Sequence, residues 1–145
     1  MSAPEVTDKL VAAIRSGEHD LIVCNYANGD MVGHTGDYDA AMQAVQTLDE
    51  CIAKIESALH EVDGQALITA DHGNCEQMQD YESGQHHTQH TTEMVPLVYI
   101  GREGITLDPN GGILADVAPT LLGLMQMDRP EEMTGRDLSA AGAGV

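Results

Sequence analysis

Between residues 37 and 62, Ala41, Val45, Leu48, Ile52, Ile55, Leu59 and Val62 recur at steps of 4, 3, 4, 3, 4 and 3. That spacing lines them up as one stripe along a helix of about seven turns. No other feature constrains the chain as strongly, because so long an amphipathic helix must lie against something. Two short apolar runs bracket it, LIVC at 21–24 and ALITA at 66–70, each of a length that suits a buried strand. Strand, long helix, strand is a βαβ unit, which predicts that the two strands pair in parallel with the helix as cover. A coiled coil is the rival use of the stripe, but small residues beside it fit a layer on a sheet more simply. Asp63-Gly64 predicts its end.

The flanking segments extend the pattern. Residues 4–15 predict a helix with Pro4 at its start, Val6, Leu10, Ala13 and Ile14 on one face, and Gly17 as its stop. Residues 97–100, after Pro96, predict a third strand, and 116–125 a last helix with Pro119 confined to its first turn. Residues 140–145 read as a flexible tail, which leaves 1–139 as one domain or as part of a larger one.

Charge narrows the function classes. Six Lys and Arg stand against 24 Asp and Glu, a formal net charge of −18. Phosphate backbones and anionic membranes are gripped by Lys and Arg, so neither nucleic acid nor a membrane surface is an expected partner. No apolar run approaches the roughly 20 residues of a spanning helix. The start, MSAPEVTDKL, carries no secretory pattern. Cys24, Cys51 and Cys75 are an odd number without C-x-x-C spacing, which reads as reduced thiols in a cytoplasmic protein.

Chemistry is expected beyond the carboxyl ends of the strands. After the first run comes a segment with Asp30 and His34, and after the second comes Asp71-His72-Gly73-Asn74. Asp30 and His34 are four apart, within reach of one ion on a helical turn or a wrapped loop. Asp71 and His72 are adjacent and need a turn to face one ion together. A third stretch, His86-His87-Thr88-Gln89-His90, precedes the last strand. Asp with His suits Zn, Mn or Fe, and the weight of carboxylate favours the harder ions.

Plainer roles exist for each residue. Asp71 before Gly73-Asn74 would equally cap a helix. His86 and His87 suit a solvated loop, and His19 and His60 exposed element ends. Cys24 and Cys51 suit the core, and Cys75 a structural thiol. What favours a metal is convergence of two Asp/His pairs at two strand ends. No Lys or Arg lies between Arg15 and Lys54, or between Lys54 and Arg102, and all candidate ligands fall in those two gaps. Metal ions would be the positive charge there. No Gly-rich phosphate loop and no convincing serine nucleophile are present, so the site is incomplete within this chain.

Residues 25–36 (NYANGDMVGHTG), 69–74 (TADHGN), His90-Thr91-Thr92 ahead of Val95-Pro96, and Glu132-Met133-Thr134-Gly135 resemble the cofactor-independent phosphoglycerate mutases, members of the alkaline-phosphatase superfamily. The resemblance covers nearly the whole chain in order. It implies an α/β fold, part of a three-layer alkaline-phosphatase-like domain whose mainly parallel central sheet is covered by helices. It implies two Mn²⁺ ions, Asp30, His34 and His90 on the first, Asp71 and His72 on the second. It further implies interconversion of 3-phosphoglycerate and 2-phosphoglycerate, in glycolysis, through a phosphoserine intermediate.

The serine nucleophile, a further Asp and the substrate-gripping Arg and Lys groups of the family have no counterpart here. The resemblance is therefore to the C-terminal portion of such an enzyme, expected to be inactive alone and to self-associate through an exposed sheet edge. The alternatives are a phosphopentomutase or phosphatase with the same two-metal core, or a noncatalytic metal-binding module. The NGDMVGHTG block tells against the first two.

Overall fold

The computed structural model of the chain describes residues 2–139; the expected tail, 140–145, lies outside them. The order of elements is helix α1 (Ala3–Ser16), helix α2 (Asn28–Gly33), helix α3 (Tyr38–Glu61), strand β1 (Ala66–Thr69), strand β2 (Leu97–Ile100), a 3₁₀ turn (Leu114–Asp116) and helix α4 (Val117–Leu124). The chain divides into two compact units. One comprises the residues up to Gly64 together with His72–Val95, the other Gln65–Asp71 with the residues from Pro96 onward.

Local chemistry sets the limits of α3. Asp37 sits in extended backbone and its carboxylate accepts the N–H of Ala40 at 3.0 Å, an N-cap that satisfies one orphan donor of the first turn. At the other end Asp63 takes a left-handed φ of 53°, and the Gly64 N–H donates to Leu59 O at 2.8 Å. Within the first unit α3 packs against α1 and α2.

Its buried seam coincides with the expected stripe only in part. Ala41, Ala44, Cys51, Ile55, Ala58 and Leu59 are buried, whereas Val45 and Val62 are 51% and 45% exposed. Small residues allow close approach of neighbouring helices, so the alanine-rich flank of the apolar stripe turns inward. The layer that α3 covers within its unit is thus helical.

The pairing of strands also departs from expectation. β1 and β2 run antiparallel, with Ala66 opposite Ile100 and Thr69 opposite Leu97. Residues 21–24 enter no ladder among the described residues, so the expected parallel pair is not formed. Val23 is 85% exposed and Cys24, expected in the core, is exposed as well. An apolar run does not by itself encode pairing; without a neighbour to exchange N–H···O=C bonds it forms no strand.

Unit two is closed by polar contacts. Asp116, 4% exposed, accepts the N–H of Ile113 and the N–H of Arg136, both at 2.8 Å. Thr120 Oγ1 donates to Asp116 O at 2.7 Å and accepts the N–H of Leu138 at 3.0 Å. These bonds fasten the segment after α4 to the helix start. No helix among the described residues is long and apolar enough to cross a membrane.

Candidate metal centre

Asp30 lies in the first turn of α2 and His34 is its C-terminal cap. A separation of four residues stacks them on one helix face. Asp30 Oδ1 stands 3.2 Å from His34 Nε2. This is the helical-turn version of the two arrangements open from the sequence.

His90 arrives on the returning segment of the loop that begins at His72. The loop doubles back through a tight turn in which the Asp80 carboxylate accepts the N–H groups of Glu82 and Ser83, at 3.0 and 2.7 Å. Its two arms are joined by His87 N–H to Met78 O and Thr91 N–H to Gly73 O, each 3.0 Å. That second bridge sets His90 beside His72, and their rings stack at 3.8 Å. His90 Nε2 then lies 3.0 Å from Asp30 Oδ1 and 3.1 Å from His34 Nε2. His86 is held elsewhere, over Gly36, where an added Cβ would meet the His86 Cβ at 3.0 Å. His87 is half-buried, not solvated.

The donor chemistry fits a cation. His34 Nδ1 is 2.7 Å from the carbonyl oxygen of Thr88, which only accepts, so Nδ1 carries the proton. In its neutral form the ring then turns a lone pair at Nε2 toward the Asp30 carboxylate and His90. A proton on His90 would have to be shared between both neighbours, whereas a metal ion accepts from all three atoms. Their separations of 3.0–3.2 Å match neighbouring ligands around an ion about 2.1 Å away. A backbone carbonyl behind a ligating imidazole is also the usual device that fixes its tautomer. Among the described residues, Asp30, His34 and His90 are the group of acidic, thiol or imidazole side chains that converges closely enough to hold an ion.

Electrostatics agrees. The Asp30 carboxyl is held below its usual range, first by the hydrogen bond from Asn74, against the opposing effect of burial, so it stands as an anion. Burial, with the charges of Glu76 and Asp30, raises the Cys75 thiol. It therefore stays protonated and donates to Gly29 O at 2.8 Å, a structural thiol and not a ligand.

Of the second expected pair, His72 joins the first unit and stacks on His90, while Asp71 ends the β1 segment of the other unit. No helix follows Asp71 that it could cap. Two contributors escaped the sequence reading. Thr88 acts through its carbonyl, which carries no side-chain signal. Asn74 had a signal, an amide one glycine away from a candidate ligand.

A helix-borne Asp/His pair completed by a loop histidine defines a metal-binding α/β protein. The Metalloenzyme superfamily model matches residues 1–129, and the chain belongs to that family. More particularly, it is 64% identical over 141 residues to the 2,3-bisphosphoglycerate-independent phosphoglycerate mutase of Psychrobacter arcticus, covering 97% of this chain and 25% of that protein. It is 65% identical over 138 residues to the enzyme of the same name from Hahella chejuensis, covering 95% of this chain and 26% of that one. The chain thus spans about a quarter of the length of the curated relatives it matches.

In three dimensions it superposes on a crystal structure of Leishmania mexicana phosphoglycerate mutase determined at low cobalt concentration. The TM-score is 0.84 at 31% identity, over 94% of this chain and 28% of that one. The α/β fold is accordingly of the alkaline-phosphatase-like type that the motifs implied.

Proposed function

We propose that this chain is the metal-binding portion of a phosphoglycerate mutase that interconverts 3-phosphoglycerate and 2-phosphoglycerate in cytoplasmic glycolysis, through a phosphoserine formed outside these 145 residues. The observation that carries the reading is the meeting of Asp30 Oδ1, His34 Nε2 and His90 Nε2 within 3.0–3.2 Å of one another. These three atoms would hold one Mn²⁺. Asp71 and His72 would serve a second, completed by an Asp and the nucleophilic Ser of the longer enzyme.

Bound there, the ions supply positive charge against phosphoryl oxygens. The residues of this chain do the holding: the Thr88 carbonyl keeps the His34 proton on Nδ1, and His72 stacks on the His90 ring. The chain alone is inactive and, with the apolar segment 21–24 exposed, self-associates.

Calorimetric titration with Mn²⁺ tests the centre. One moderately strong site is expected, weakening as pH falls through the histidine range because imidazolium cannot ligate. Two equally tight sites would contradict the division of ligands. Turnover of 3-phosphoglycerate by the pure chain would overturn the claim that its catalytic apparatus is partial.

A further inference from the structure

Asn74 is 5% exposed, and its amide Nδ2 donates to Asp30 Oδ1 at 2.9 Å and, more weakly, to Asp30 O at 3.3 Å. Its own backbone is anchored, since the Asn74 N–H donates to Glu76 Oε2 at 2.7 Å. The other Glu76 oxygen accepts the Thr91 hydroxyl. Thr91 follows His90, so hydrogen bonds run from one ligand to another through Thr91, Glu76 and Asn74.

The amide orientation is determined. Exchanging its oxygen and nitrogen would set Oδ1 against two acceptors of Asp30. As it stands, Asn74 Oδ1 is buried without a hydrogen-bond partner, a condition native interiors rarely tolerate. The space that Oδ1 fills exists because residue 33 is glycine: a Cβ there would lie 2.1 Å from it. Glycine at 33, an orphaned oxygen and a buttressed backbone all serve one contact.

We propose that Asn74 is a positioning residue for the metal centre. Its amide occupies one lone pair of Asp30 Oδ1 and leaves the other directed between the two imidazoles, so that Asp30 binds through that single oxygen. This rests on the proposed metal-binding role of the cluster.

The test uses the full chain and two probes, Mn²⁺ by calorimetry and Co²⁺ by visible absorption. Asn74→Ala should weaken Mn²⁺ binding by about 10- to 100-fold, the usual consequence of removing an outer-shell partner. Asn74→Asp should weaken it further, because an acceptor replaces the donor. Gly33→Ala should resemble Asn74→Ala by displacing the amide. At saturating Co²⁺ the band positions and intensities should change in Asn74→Ala, since Asp30 is freed to swing or to bind through both oxygens.

A merely structural role would lower occupancy and leave the spectrum of each bound ion unaltered. Thermal melting identifies a variant that fails to fold, in which case the milder Asn74→Ser takes its place. Equal affinity and an unchanged spectrum in a folded variant, beside binding by the unaltered chain, would overturn this inference alone. Absence of Mn²⁺ binding by the unaltered chain would overturn the proposed function and this inference with it.

Discussion

Asp30 and Asp116 are both anchored by hydrogen bonds, and both carboxyls are held below their ordinary range. Their surroundings differ in kind. Each oxygen of Asp116 receives a backbone N–H, from Ile113 and from Arg136, and the group is buried. Asp30 receives the Asn74 amide at one oxygen, and that same oxygen faces two imidazole nitrogens. A carboxylate whose acceptor capacity is filled by donors closes a fold. One that is aimed at two imidazole nitrogens leaves a gap of the kind a cation would fit.

The strongest way to break this contrast is to remove each carboxylate. Asp30→Ala should lose Mn²⁺ binding altogether in calorimetry. Asp116→Ala should leave the affinity unchanged while lowering the melting midpoint by several degrees. The contrast fails if the two variants behave alike.

Acid sharpens it next. The affinity for Mn²⁺ should fall on acidification, because an imidazolium cannot ligate. The Asp116 clasp shares that sign of linkage but lies in a lower window. Its folded-state value is depressed, first by the Arg136 N–H and then by that of Ile113. Its contribution is therefore whole above the unfolded carboxylate value, about 3.9, and is lost as pH falls through the lower folded one. Amide exchange at Leu138 and Arg136 should stay protected at pH 5 and open only well below 4. Loss of that protection together with the metal would contradict the distinction.

Packing comes third. Leu138 is 2% exposed and lies where a Cβ on Gly112 would meet its methyl at 2.8 Å. Leu138→Ala should cost about 3 kcal/mol of stability in denaturant unfolding with Mn²⁺ affinity retained. The smallest effect belongs to the pair Arg15–Glu61, 2.7 Å apart but half exposed on both sides. Arg15→Ala should shift neither melting nor metal binding measurably, as expected of a solvent-screened pair. A clear loss of binding there would extend the centre beyond the loops described.

Several elements were legible from residue order alone because their causes are local. Period, an N-cap and a glycine after the last turn fix α3 between Tyr38 and Glu61. Pro96 and four apolar residues fix β2. Asp30 and His34 were legible as a pair because four residues along a helix are neighbours whatever the helix packs against.

The choice of His90 over His86 and His87 rested on the H-T-T motif. Its physical cause is the bridge between Gly73 and Thr91, a register formed across 18 residues of chain. Asn74 and the Thr88 carbonyl meet Asp30 and His34 across still longer separations, 44 and 54 residues.

The sequence by itself determined helices α1, α3 and α4, the acidic and cation-poor character of the site region, the family motifs and the segments that carry the candidate ligands. Each depends on spacing along the chain or on side-chain chemistry. Tertiary structure alone decided which flank of α3 is buried, that 21–24 enters no ladder among the described residues, and how His90 is brought to Asp30 and His34. Those outcomes depend on what stands opposite, and an apolar run or a histidine carries no record of its partner until hydrogen bonds and close packing select one.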